Sequence, residues 1–300
     1  MSQSIASSKI RSVLAPNPSI SGQNSESASS SSLKDFIQET LALTQRLFIQ
    51  LQRRPSTLVA GIIQPFMWLV LFGALFSNAP GGLFGNDLSY AKFLAPGVIV
   101  FTAFSGALNA GLPVMFDREF GFLNRLLVAP LSSRYSIVAA STIYIIALSF
   151  IQTAVIVFAS AVLGAGLPGI AGLSAIALIV FLIVLGVTAL SLGLAFALPG
   201  HIELIAVIFV TNLPLLFAST ALAPLSFMAN WLQVIASLNP LTYAIEPIRY
   251  IYGHGDWAIS NIVMNTPWFG LNFIAVLLVL LAFDALILLA IQPLLRRRFA

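Results

Sequence analysis

The amino-acid sequence predicts an all-α integral membrane protein with six transmembrane helices. Of its 300 residues, 59% are hydrophobic and 8% are charged, whereas a soluble domain carries about 25% charged residues. Several charge-free stretches exceed the roughly 20 residues that cross a bilayer as a helix. These stretches are continuously apolar rather than alternating, so a transmembrane β-barrel is excluded.

Residues 1–32 contain 13 serines and only three charged residues, Lys9, Arg11 and Glu26. They include no apolar stretch long enough for the core of a secretory signal. The composition predicts a disordered leader. An organellar transit peptide, which is also rich in serine and poor in acidic residues, remains the alternative.

The segment 33–54 is predicted to be an amphipathic interface helix. Asp35, Arg46 and Arg53 lie opposite its apolar face. Ser32 with Asp35 resembles a capping box that starts the helix, and Pro55 marks its end. Because charge interrupts the pattern every few residues, we expect the helix to lie on the membrane surface, unless a soluble partner covers the same face. That face comprises Leu33, Phe36, Ile37, Leu41, Leu47, Phe48 and Leu51.

Residues 55–300 are predicted to form one transmembrane domain. Glycine and proline occur inside several of its apolar stretches. Transmembrane helices tolerate these residues because neighbouring helices can satisfy the main-chain groups that they leave free. The six predicted spans are 58–77, 93–115, 136–163, 171–198, 202–222 and 268–293.

The positions of the basic residues predict the orientation. With the N-terminus in the cytoplasm, only Lys92 and Arg249 lie outside. An excess of Lys and Arg marks cytoplasmic loops, so both termini are predicted to be cytoplasmic. The predicted cytoplasmic set is Lys9, Arg11, Lys34, Arg46, Arg53, Arg54, Arg118, Arg125, Arg134, Arg296, Arg297 and Arg298.

The apolar segment 223–265 is predicted to be re-entrant rather than a seventh span. A seventh crossing would place the three arginines at 296–298 outside. Proline and asparagine break the segment into short helices on the outer face. The predicted breaks are Pro224, Asn230, Asn239-Pro240 and Pro247, and the predicted headgroup-level aromatic residues are Trp231, Tyr243, Tyr250, Tyr252 and Trp257.

A charged stretch, "FDREFGFLNRLLVAPLSSR" (Phe116–Arg134), interrupts the apolar sequence. Helical spacing places Phe116, Phe120, Leu123 and Leu127 on one face, with Arg118 and Arg125 nearly opposite. The pattern predicts a short cytoplasmic helix, 117–128, that Ala129-Pro130 ends. Glu119 lies near the apolar face and needs a basic partner in this chain or another. The alternative is a loop whose charges only fix topology.

Several kinds of site are excluded by the residues that the chain lacks. It has no cysteine, and His201 and His254 are not spaced as metal ligands. No phosphate-binding G-x-x-x-x-G-K-[ST] loop and no catalytic nucleophile motif occur in the sequence. We therefore expect a chain that is not an enzyme, binds no cofactor and, since its basic residues report topology, binds no nucleic acid.

Three motifs together resemble the ABC-2 type permeases, the membrane subunits of ATP-binding-cassette exporters. They are "QRRPSTLVAGIIQPFMWLVLFGALF", "DREFGFLNRLLVAPLSSR" and "NPLTYAIEPIRY", in that order. The likeness covers roughly residues 34–298 and is most specific in the second motif. Within the family, "QRRP" and the D-R-E-x-G loop look most like the daunorubicin-resistance and nodulation-factor exporters.

The resemblance implies a coupling helix, which sits in a cleft of a separate ATPase subunit and transmits its closure. Segment 33–54 would be the interface helix beside that subunit, and residues before the last span would form an outer gate. The implied coupling residues are Asp117, Arg118, Glu119, Phe120, Gly121, Leu123, Arg125 and Leu127. The implied gate residues are Asn239, Pro240, Glu246 and Arg249, of which the last two are spaced for a helical ion pair.

The resemblance also implies the partners and the substrate class. ATP and magnesium would be bound by the partner ATPase, and a second permease, identical or paralogous, would complete the transporter in the lipid bilayer. Amphipathic drugs, lipids or lipid-linked saccharides would be exported. The membrane would be the bacterial inner membrane or, alternatively, a plastid membrane.

A few polar residues lie inside the predicted spans. Gln64, Asn109, Gln152 and Asn212 are expected to form interhelical hydrogen bonds or to line a path. Asp284 in the last span could pair with a neighbouring helix, line the path or carry a proton. An ion-coupled secondary transporter is the alternative function, although such proteins show repeated halves that this sequence lacks.

Overall fold

The computed structural model describes residues 24–76, 89–122 and 135–299. Helices dominate this part of the chain, with two short strands before the last helix. The helices are α1 (Asn24–Arg53), α2 (Ser56–Leu75), α3 (Tyr90–Leu108), α4 (Gly111–Glu119), α5 (Tyr135–Ser160), α6 (Ile170–Ala197), α7 (His201–Phe217), α8 (Asn230–Leu238), α9 (Pro240–Gly253) and α10 (Phe273–Phe299), and the strands are β1 (Ile262–Asn265) and β2 (Gly270–Asn272).

Five stretches of the described chain are long and apolar enough to cross a membrane. They are α2, α3 with α4, α5 with the π-helical turn Ala161–Ala165, α6, and Phe273–Pro293 of α10. Helix α7 is apolar but has only 17 residues. The predicted all-α membrane fold is confirmed, while the count of six spans stays a prediction.

Helix α3 forms the centre of the bundle. All its side chains from Phe93 to Phe104 are buried, and it packs against α2, α5, α6 and α9. Close approach is possible at Gly97, because a Cβ atom there would lie 2.5 Å from the carbonyl oxygen of Ala221. The turn that follows α7 therefore rests directly on the backbone of α3.

Helix α1 begins at Asn24, before the predicted start at residue 33, and ends at Arg53 before Pro55. Part of the predicted disordered leader is thus helical, and Ser32 is inside the helix rather than its cap. Serine is only moderately unfavourable in a helix, and a helix that has nucleated extends at low cost. Residues 1–23 lie outside the described part.

The segment before the last span differs from the prediction in two ways. Asn239 separates α8 from α9 as expected, but Pro247 lies inside α9 and is buried there. Strands β1 and β2 form an antiparallel hairpin, so the last helix begins at Phe273 rather than at 268. Threonine, proline and aromatic residues at 266–269 form the connection, where apolar composition alone had suggested a span.

Candidate functional site

Helix α4 continues the direction of α3 after a break at Asn109-Ala110, and Ser191 of α6 holds this break. The Ser191 hydroxyl donates to the carbonyl oxygen of Leu108 at 2.6 Å and accepts from the Gly111 amide at 2.9 Å. Gly111 has no side chain, and a Cβ there would lie 2.4 Å from the Ser191 carbonyl oxygen. These contacts place the start of α4 directly against α6.

The charged residues Asp117, Arg118 and Glu119 form the last turn of α4. The predicted coupling helix was expected to begin at Asp117, so this boundary was wrong: the three residues belong to the preceding helix. That helix ends at Phe120-Gly121, where Gly121 has φ 75°, a conformation that glycine adopts at little cost. The predicted residues Leu123, Arg125 and Leu127 lie outside the described residues.

Asp117 binds α1. Its carboxylate lies 3.4 Å from the guanidinium of Arg46 in α1, and that guanidinium also lies over the Phe122 ring at 3.9 Å. Arg46, expected opposite the apolar face, thus connects α1 to α4. Asp35 and Arg53, predicted with it, are exposed.

Arg118 binds the end of α6. Its guanidinium donates to three main-chain carbonyl oxygens, those of Ala195 at 2.8 Å, Leu198 at 2.6 Å and Pro199 at 2.6 Å. The last carbonyls of a helix have no partner within the helix and carry partial negative charge. A cation at this point both completes their hydrogen bonding and stabilises the helix end.

Glu119 binds the start of α7. One carboxylate oxygen accepts from the His201 amide at 2.6 Å, and the other lies 2.5 Å from Nδ1 of the same residue. The His201 ring also packs against Phe116 at 5.3 Å. Glu119, which was predicted to need a basic partner, is paired with a histidine of this chain. The sequence analysis considered His201 only as a metal ligand, although Pro199-Gly200 before it marked a helix start on the same side.

Three consecutive side chains thus connect α4 to three different elements. Asp117 reaches α1, Arg118 reaches α6 and Glu119 reaches α7. Phe120, the next residue, is 80% exposed. Of the predicted coupling residues that the structure describes, Phe120 is the one that offers an unburied apolar surface.

Asn239 joins α8 and α9 to the C-terminal end of α7. Its amide nitrogen donates to the carbonyl oxygens of Leu215 at 2.7 Å and Ala218 at 2.6 Å. Its oxygen accepts from the Leu241 amide at 3.0 Å, which caps α9, and Pro240 occupies the first position of that helix. Asn239 is 4% exposed, so its side chain is buried among these partners.

Arg249 in α9 is a buried cation with several partners. It forms the predicted ion pair with Glu246, and it donates to the carbonyl oxygens of Thr220 at 2.5 Å and Phe93 at 3.3 Å. Its guanidinium also lies 3.9 Å from the centre of the Phe93 ring. Burial lowers the pKa of Arg249, and the Glu246 carboxylate opposes this effect. Together, these partners compensate the cost of burying the charge.

The polar residues predicted inside the spans have different surroundings. Asn212 accepts a hydrogen bond from Ser105 at 3.1 Å, which confirms an interhelical role. Gln152 is 3% exposed, and a Cβ atom at Gly61 would lie 2.1 Å from its amide nitrogen. Gln64 is exposed on α2, and Asn109 donates to the Ser105 carbonyl oxygen of its own helix.

Asp284 lies in the contact between α10 and α6. It is 4% exposed, and neither carboxyl oxygen has a hydrogen-bond partner among the described residues. One oxygen lies only 2.0 Å from the place where Gly186 would carry a Cβ. The expected polar partner on a neighbouring helix is therefore not found in the described part, and the carboxyl group packs against a glycine.

Comparison with known proteins gives consistent matches. Residues 38–252 match the family described as ABC-2 type transporter. The chain is 51% identical over 283 residues to a transport permease named ycf38 from Cyanophora paradoxa, covering 94% of this chain and 98% of the relative. It is 57% identical over 252 residues to the ycf38 permease of Porphyra purpurea, with 84% and 87% covered. It is also 26% identical over 242 residues to the doxorubicin resistance ABC transporter permease protein DrrC of Mycobacterium tuberculosis, with 78% and 83% covered.

Proposed function

This chain belongs to the ABC-2 type transporter family, and from that membership we propose that it is the permease subunit of an ATP-binding-cassette exporter. The energy would come from ATP, bound with magnesium and hydrolysed by a separate ATPase subunit. A second permease, identical or paralogous, would complete the path. The observation that carries this proposal is the α4 terminus, where consecutive charged residues bind three elements and Phe120 is left exposed.

The substrate is proposed to be an amphipathic drug, a lipid or a lipid-linked saccharide. The resistance permease among the relatives supports this class, because doxorubicin appears in its name. The membrane is proposed to be the bacterial inner membrane, with a plastid membrane as the alternative. Both termini are proposed to be cytoplasmic, on the distribution of basic residues.

The proposed docking is tested by co-purification with a candidate ATPase that carries a phosphate-binding loop. Phe120→Ser is expected to reduce the amount of ATPase retained several-fold, because an exposed aromatic side chain is a typical interface anchor. Trp231→Ser is the matched control, since Trp231 is 67% exposed on α8, among the predicted outer helices. Retention of the ATPase that is unchanged by Phe120→Ser and by deletion of residues 120–128 would contradict the proposal.

A further inference from the structure

The inner end of α7 is joined to α4 by Glu119. This carboxylate contacts both the main-chain amide and the ring of His201, the first residue of α7. Negative charge at a helix N-terminus is favourable because the free amides there carry partial positive charge. A displacement of the end of α4 must therefore move the first turn of α7, or break two hydrogen bonds.

The outer end of α7 is joined to the re-entrant helices by two side chains. Asn239 donates to the carbonyl oxygens of Leu215 and Ala218, in the last turn of α7 and just beyond it. Arg249 donates to the carbonyl oxygen of Thr220, two residues further on. Both donors are buried, and a hydrogen bond that breaks in a buried site leaves groups unsatisfied at substantial cost.

The sides of α7 contact this chain over a narrow strip. Leu204, Ile208 and Leu216 are its fully buried side chains, and Asn212 accepts the hydrogen bond from Ser105. Much of the remaining surface is exposed, in contrast to α3, whose central residues are all buried. The exposed apolar residues are Ile202, Phe209, Val210, Leu213 and Phe217.

Helix α7 alone is shorter than the thickness of a bilayer core. Its 17 residues span about 25 Å, less than the roughly 30 Å of a bilayer core. The turn that follows is buried against α3, where Gly97 permits close approach. Pro214 lacks an amide hydrogen and removes one main-chain hydrogen bond near the end of α7, but the helix continues from His201 to Phe217. A displacement of its first turn is therefore carried along the helix axis to its last turn.

We propose that α7 is a mechanical link between the α4 terminus and the outer re-entrant helices. Glu119 and Asn239 are the positioning residues that join its two ends. This inference rests on the proposed function: closure of the ATPase subunits displaces α4, α7 shifts as a body, and Asn239 and Arg249 carry the shift to α8 and α9. The outer gate would then open without any direct contact with the ATPase.

The absence of native cysteine allows a direct test in the purified complex of permease and ATPase. Ser219→Cys places a thiol at a site that is 1% exposed, just beyond α7. Reaction of this thiol with a membrane-impermeant maleimide is expected to be several-fold faster in the presence of ATP. Adding Glu119→Ala or Asn239→Ala is expected to remove the ATP dependence in complexes that still contain the ATPase.

Glu203→Ala is the matched control for the inner joint, the contact between Glu119 and His201. Glu203 is an exposed carboxylate in the same first turn of α7, so its loss changes the helix end without removing the link to α4. This variant is expected to keep the ATP dependence. If either joint variant fails to assemble, the disulfide formed by Glu119→Cys with His201→Cys provides the second test. Because α4 and the first turn of α7 move together, the locked protein is expected to retain ATP-dependent labelling.

Three outcomes would overturn the proposal. The first is ATP-dependent labelling that survives both joint substitutions, and the second is labelling that does not depend on ATP in a complex that hydrolyses it. The third is loss of the ATP response when the disulfide locks the inner joint. Failure of the proposed function looks different. In that case no ATPase associates with the chain or responds to it, whatever the state of α7.

Discussion

At the scale of single residues, the Asp284 carboxyl group packs directly against Gly186, which has no side chain. The position that a Cβ atom would occupy on Gly186 lies 2.0 Å from the Asp284 carboxyl oxygen. A carboxyl group in an apolar span without a hydrogen-bond partner is unfavourable in its charged form. Gly186 therefore serves to give the Asp284 side chain room, rather than to provide a flexible point in α6.

Substituting Gly186 tests this packing. Gly186→Ala is expected to lower the free energy of unfolding by about 1–3 kcal/mol, because the new methyl group overlaps Asp284. The cost should become much smaller in combination with Asp284→Ala, since residues in direct contact couple energetically. Denaturant titration of the four proteins in detergent measures both values.

Gly73→Ala provides the control for the same chemical change. No atom lies within 4 Å of the place where Gly73 would carry a Cβ, and alanine is the better helix former. This variant is expected to be neutral or slightly stabilising. The proposed contact would be wrong if Gly186→Ala were also neutral. It would also be wrong if Gly186→Ala lowered the free energy of unfolding as much in the Asp284→Ala background as in the unsubstituted protein.

At the scale of elements, α1 presents two different faces. The described side chains that α1 buries include Thr40 and Thr44, and Leu47, Phe48 and Leu51 pack against the core. Leu33, Ile37 and Leu41 lie one helical turn apart and are 61%, 49% and 59% exposed. The predicted single apolar face is therefore divided: its second half packs on the bundle, and its first half is left for another surface.

The sequence predicts some elements much better than others, for physical reasons. Long apolar stretches identify α2, α3, α5, α6 and α10 because crossing a bilayer demands continuous hydrophobicity. The β hairpin and the end of α4 were missed, since both depend on contacts between distant residues. Arg118 illustrates this: its three carbonyl partners lie at the end of α6, and no local pattern identifies them. The ion pair of Glu246 with Arg249 was found because its spacing is local.

The exposed part of α1 is expected to lie on the lipid surface. A fluorophore attached through Ile37→Cys should be quenched several-fold more strongly by a nitroxide lipid than one attached through Asp35→Cys. The two positions are both exposed but point in nearly opposite directions on a helix. Equal quenching, or quenching that disappears when a partner protein binds, would favour the alternative that a soluble partner covers this face.

At the scale of the whole molecule, the polar contacts concentrate at the two ends of the described bundle. The charged groups Arg46, Asp117, Arg118 and Glu119 meet at one end, while Glu246 and Arg249 meet at the other. Between these ends the helices are joined chiefly by apolar packing, with isolated hydrogen bonds such as that of Ser105 with Asn212. In the proposed function, this arrangement would let the chain receive force at one membrane surface and open at the other.

The orientation of the two ends is the property on which this interpretation depends, and it can be measured in sealed membrane vesicles. Phe120→Cys and Trp231→Cys place single thiols at exposed positions, on the charged end and on α8 respectively. Because the basic residues concentrate on the side of Phe120, that thiol is expected to react with an impermeant maleimide only in inside-out vesicles. The thiol at position 231 is expected to react only in right-side-out vesicles, and permeabilisation should make both reactive. If the thiol at position 120 reacted from the outer side, an ATPase in the cytoplasm could not reach α4, and both proposals would fail together.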